Sequence, residues 1–137
     1  MNQGGHSQTT PATTILRLIV RPTSVNHVDN PPQGPSATDI TTIIDDLFDA
    51  ADKEKVGHDE IFCVAVNATD MQCTGTLFLP KGQLTFTMPY SIKTRSGEGA
   101  ITGGTNTYQT AAGTFKAVAR PDTEPPVSDY TLSIIAL

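Results

Sequence analysis

Tryptophan is absent from this chain, and its nine lysines and arginines are scattered singly along 137 residues with a net charge of −5. Without a basic cluster, binding to nucleic acid or to an anionic membrane surface is not expected. No apolar run approaches the ~20 residues of a transmembrane helix. Residues 1–13 are polar and lack the apolar stretch of a secretory leader, so a cytoplasmic location is the expectation. The three histidines, His6, His27 and His58, stand at no metal-ligand spacing with one another or with the two cysteines, so no metal is expected. Thr102-Gly103-Gly104-Thr105 lacks the lysine and following helix of a phosphate-binding loop. No dinucleotide fingerprint or nucleophile elbow occurs, and no cofactor is expected.

What is present is alternation. Leu16, Leu18 and Val20 alternate with Ile15, Arg17 and Ile19, and similar runs of large apolar residues separated by Thr and Ser recur along the chain. Such patterning belongs to an antiparallel β protein, and the length is that of one domain. Residues 1–13 read as a flexible N-terminal segment, and residues 14–137 as a single barrel domain. Strands are expected at 14–21, 40–49, 56–67, 71–79, 83–90, 100–102, 113–119 and 130–137. The proline-bearing stretch 22–39 has no periodicity and reads as a long, lid-like loop. About eight strands would close as an up-and-down barrel, whose interior is packed solid or holds one small ligand.

The segment from Ile101 to Phe115 is the most informative. Gly103 and Gly104 can adopt positive φ, Tyr108 follows, then Ala111 and Ala112, then Gly113 opening a strand. It resembles the ITGGTGxYxxAxG signature of the dirigent and allene-oxide-cyclase-like β-barrel family. Asn106 stands where that family usually has glycine, and asparagine is the next-best residue for a left-handed backbone. Val56 to Cys63 is similar to a further strand of that family, and Cys73 to Phe86 to one of its hairpins. The resemblance implies an eight-stranded antiparallel, calycin-like barrel. It also implies a lumen in which a flexible substrate is folded, as in bacterial cyclases of polyketide-type natural products.

A two-residue turn at Lys81-Gly82 would set Leu77 opposite Phe86, Gly75 opposite Met88 and Cys73 opposite Tyr90, all on one face. That face is the more apolar and is assigned to the lumen. Gly75 and Ala65 leave room there for a cavity. Cys63 and Cys73 are equidistant from Ala68 and can face each other across a hairpin. A bridge is geometrically open to them, although two buried thiols in a reducing compartment are the plainer expectation. Asp45-Asp46-Leu47-Phe48-Asp49 spells a magnesium-binding sequence of terpene synthases, but on a strand its carboxylates point to opposite faces. Alternation with Ile44 and Phe48 assigns Asp46 to the inside. Arg17 is either an exterior charge or a lumen cation.

The candidate catalytic residues are therefore Tyr90, Asp46 and Arg17. The candidate substrate contacts are Leu77, Phe86, Met88, Phe48, Tyr108, Cys73 and His27. A cofactor-free cyclase acting on a hydrophobic small molecule is the first reading. A dirigent-type protein that gives stereocontrol without catalysis is the second, and a non-catalytic ligand-binding or structural barrel the third. The apolar exterior set Phe62, Val64, Val66 and Phe78 suggests a homodimer or homotrimer.

Overall fold

The computed structural model describes residues 12–136. The expectation of a flexible segment at 1–13 falls outside them, except for Ala12 and Thr13, which already lie in a strand. Eight antiparallel strands close into a barrel in chain order. They are β1 (Ala12–Val28), β2 (Ile40–Phe48), β3 (Lys55–Ala65), β4 (Asp70–Leu79), β5 (Gly82–Ser91), β6 (Ser96–Gly104), β7 (Ala112–Ala119) and β8 (Ser128–Ala136). A single 3-10 turn, Asn106–Tyr108, joins β6 to β7. Among the described residues no helix is long and apolar enough to cross a membrane.

Three expectations about the elements need correction. β1 does not stop at Pro22. It pairs with β8 over Ala12–Val20 and with β2 over Ile19–Val28, with a register shift at Pro22/Ser24. Proline lacks a ladder donor, and a bulge is where a strand tolerates that lack. The connection shrinks to residues 29–39, and it is pinned. Asp39 is buried and accepts the backbone N–H groups of Asn30 (2.9 Å) and Ser36 (3.1 Å). β6 is also longer than expected, because Gly97 and Gly99 pair in the ladder instead of forming a loop. Finally, Leu79 pairs with Gly82, so Pro80-Lys81 is the turn between β4 and β5. Leu77 thus faces Leu84, Gly75 faces Phe86 and Cys73 faces Met88. The inward face is as read, with partners displaced by two residues.

Cys63 and Cys73 are direct cross-strand partners, and the structure joins them as a disulfide instead of leaving two thiols. The crosslink closes a short loop, with a sequence separation of 10. Chain-entropy arguments give such a loop about 2–3 kcal/mol of stabilisation. Urea unfolding with and without reductant should therefore show a lower midpoint on reduction, matched by the Cys63→Ala/Cys73→Ala variant. Equal midpoints would show that the bond contributes nothing.

The lumen is not one space. A layer of side chains crosses the barrel at mid-height: Leu47 from β2, Asp59 from β3, Leu77 from β4, Leu84 and Phe86 from β5, Phe115 from β7 and Leu132 from β8. Each is 0–1% exposed. Phe86 and Phe115 stack with ring centroids 3.9 Å apart, and Tyr130 meets Phe115 edge-on at 4.7 Å. Burial of this kind is worth roughly 1.5–3 kcal/mol per large apolar side chain. The layer divides the lumen into two chambers that open at opposite ends.

Candidate functional site

The chamber at the end holding the β3–β4 hairpin measures about 460 Å³. Val20, Ile43, Ile61, Met71, Met88, Ala117 and the Cys63–Cys73 bridge form its apolar wall. Tyr90, Arg95 and residues Glu124, Pro125 and Pro126 of the β7–β8 connection stand around its mouth. The expected lid, 22–39, contributes Pro22 and Val25 from β1 to the lining, and the pinned loop contributes nothing. The segment over this mouth is the β7–β8 connection.

The floor carries the polar chemistry. Asp45 on β2 and Asp59 on β3 are cross-strand partners, both point inward, and both are buried. The buried Tyr130 hydroxyl donates to Asp59 Oδ2 at 2.8 Å, with Asp45 Oδ2 at 3.5 Å. Asp59 Oδ1 is buried without a hydrogen-bond partner. No cation is ion-paired to either carboxyl among the described residues. Burial therefore acts unopposed by counter-charge. It raises Asp59, and the neighbouring Asp45 charge adds to the effect, pushing the group up to about 9. Burial also raises Asp45, against hydrogen bonds from Asp59 and Tyr130. Two carboxyls this close in a dry wall cannot both ionise. The pair keeps a proton at neutral pH, held by Asp59 and turned toward Asp45, the member of the pair that lines the chamber.

At the mouth, burial raises the Tyr90 hydroxyl, and the Arg95 charge opposes the shift. Tyr90 is thus a neutral hydrogen-bond donor at neutral pH. Arg95 holds a left-handed backbone, φ 56°, in the β5–β6 turn. Its carbonyl accepts the Ala119 N–H at 3.0 Å, which ties that turn to β7 beside the mouth.

Of the residues singled out from the sequence, Tyr90, Met88 and Cys73 come together in this chamber. Leu77 and Phe86 belong to the dividing layer. Arg17 and Tyr108 lie at the other end of the barrel. Asp46 is on the outer face, 3.0 Å from Lys55 Nζ, and Phe48 is outside too, under the Arg21 guanidinium. The inward set on β2 is Ile43, Asp45 and Leu47. Its alternate, Ile44, Asp46 and Phe48, is equally apolar, and that equality misdirects a reading of the strand alone. His27 shares the inward register of Val25 and lies at the barrel rim in a smaller pocket with Asp39, Thr41, Ala65 and Met71, its Nδ1 3.0 Å from Thr41 Oγ1. Asp45, Asp59, Tyr130, Met71 and Arg95 were not anticipated.

No family model matches the chain, and comparison with curated proteins finds no match. Solved structures do match. A pyocyanin demethylase is 25% identical and superposes with a TM-score of 0.77, covering 88% of this chain and 99% of its own. A pterocarpan synthase dirigent protein is 15% identical with a TM-score of 0.76, over 96% of this chain and 89% of its own. A Diels-Alderase from Streptomyces koyangensis is 18% identical with a TM-score of 0.70, over 91% of this chain and 64% of its own. The chain has the allene-oxide-cyclase/dirigent-like barrel fold, as the Ile101–Phe115 segment implied.

Proposed function

We propose that the chamber over Asp45 folds a flexible, largely apolar small molecule and promotes its ring closure. The observation that carries this reading is a pair of buried cross-strand carboxyls, with no counter-charge among the described residues, on the floor of an apolar cavity. Once the shared proton passes from Asp59 to Asp45, a substrate carbonyl placed against Asp45 accepts a hydrogen bond from it. Its electron demand rises, and an attached diene or alkene becomes more reactive toward addition. The closure is redox-neutral: two π bonds are exchanged for two σ bonds and the proton returns to the pair. Tyr90, a neutral donor at the mouth, fixes the other end of the substrate. The wall selects one folded conformer and keeps water out, which is where the larger part of such a rate enhancement arises. Relatives in fold described as Diels-Alderase and dirigent protein are consistent with this class of chemistry.

A linear polyene carrying a tetronate group is a suitable test substrate. Wild-type protein is expected to accelerate its cyclisation over buffer. Asp45→Asn should lower the rate at least about 100-fold, within the range of general acid catalysis. Tyr90→Phe should act more mildly, and Asp46→Asn should have no effect. Equal rates for wild type and Asp45→Asn would remove the pair from the chemistry. A changed product ratio without acceleration would identify a dirigent-type role.

A further inference from the structure

The chamber at the opposite end is larger, about 680 Å³, and lies within the ~300–1,000 Å³ of small-molecule sites. We propose that it is a second, independent ligand site for a compact apolar molecule bearing one anionic group, with Arg17 and Lys81 as counter-charges. Its wall is Leu16, Leu18, Val56, Leu79, Tyr108 and Ala111. The Phe86–Phe115 layer separates it from the chamber over Asp45, so a molecule in one does not reach the other.

The site is built by the segment that first marked the fold. Asn106 takes φ 55°, the left-handed conformation that lets the 3-10 turn start. The turn is laced onto the β4–β5 hairpin, because Thr105 N–H donates to the Gln83 carbonyl at 3.0 Å and Thr107 N–H to the Lys81 carbonyl at 3.2 Å. Gly104 lets Tyr108 fold back over β6, since a methyl there would stand 2.7 Å from the Tyr108 Cβ. These contacts bring Tyr108 and Lys81 to the same rim. Burial raises the Tyr108 hydroxyl, so it stays a neutral donor.

The charge pattern names the ligand class. The chain carries a net charge of −5, yet two cations border this apolar mouth, Lys81 on the rim and Arg17 from the outer face of β1, where it alternates with the inward Leu16 and Leu18. Neither is ion-paired among the described residues, where carboxylates pair with Arg21, His27, Lys55, His58 and Arg120. Asp49 borders the same chamber, but its Oδ1 accepts the Lys53 N–H at 2.9 Å and the Glu54 N–H at 3.4 Å. The wall supplies affinity, and the exposed cations supply selectivity for an anion.

The test uses full-length protein with labelled Leu, Val and Met methyl groups, titrated with 8-anilinonaphthalene-1-sulfonate and with its neutral analogue N-phenyl-1-naphthylamine. The sulfonate should shift the Leu16, Val56 and Leu79 methyl signals and leave Met71 and Met88 unmoved. Arg17→Ala/Lys81→Ala should weaken the sulfonate at least about fivefold and the neutral amine less than about twofold, because only the former loses a charge partner. The site is refuted if Met71 and Met88 shift instead, or if no signal moves by about 1 mM ligand, the weak end of specific binding. A charge variant that weakens both probes alike, or neither, overturns the anion assignment. The two chambers report on different methyl groups, so failure here leaves the function proposed above untouched.

Discussion

Asp59→Asn is expected to make the protein more stable at pH 8 and to flatten its stability against pH. In the unfolded chain this aspartate ionises near its ordinary value of ~3.9. Folded, it holds its proton up to about 9 because it is sealed beside Asp45. Between those values the native state binds a proton that the unfolded state has released. The contribution to stability is therefore complete below pH ~4 and falls as the pH rises toward the folded value, by about 1.4 kcal/mol per pH unit. From pH 5 to pH 7 the wild type should lose about 3 kcal/mol. At this chain length that is on the order of 10 °C in Tm. An asparagine can still accept the Tyr130 hydroxyl and can donate to Asp45, so the replacement keeps the local hydrogen bonds. Thermal unfolding from pH 5 to pH 8 decides the matter. Parallel curves for wild type and Asp59→Asn would mean that no proton is held, and the acid assigned to the floor of the chamber would go with it.

The facing of the carboxyl pair is legible in the sequence through the neighbouring strands. Cys73 lies on the apolar face of its hairpin, and its cross-strand partner Cys63 must share that face. Strand alternation then puts Ile61 and Asp59 inside as well, and the partner of Asp59 on β2 is Asp45. β2 by itself does not settle its facing, because large apolar residues stand on both faces, Ile43 and Leu47 inside and Ile40, Ile44 and Phe48 outside, with one aspartate on each. Register information from the neighbouring strand breaks such a tie, and apolar content does not. Pro22 misled for a different reason. Proline argues against a strand only where its missing N–H would be needed, and at a bulge that need disappears. The strand, turn and strand of Ile101–Phe115 were legible because glycine and asparagine at left-handed positions leave a local signature. The division of the lumen had no such signature. Phe86 and Phe115 lie on non-adjacent strands, β5 and β7, and meet only when the barrel closes.

Phe115→Ala is expected to be the most damaging substitution in the barrel and to join the two chambers. The ring is fully buried, stacked on Phe86 and met edge-on by Tyr130. Truncation removes its transfer free energy and leaves a void that the rigid ladder cannot close, a loss of about 3–5 kcal/mol. Denaturant unfolding should show a lower midpoint with an unchanged slope, because the surface exposed on unfolding hardly differs. Phe115→Leu keeps much of the volume and should recover most of the stability. The functional consequence separates the layer's two roles. If it only fills space, the naphthalene sulfonate should still shift the methyl signals of one end alone in Phe115→Ala. If it is the partition, signals from Leu16 and from Met88 should now move together. Tyr130 would also lose its edge contact, freeing its hydroxyl to drift from Asp59. The pH dependence of Phe115→Ala should then depart from that of the wild type, whereas a layer uncoupled from the carboxyl pair would leave the slope unchanged.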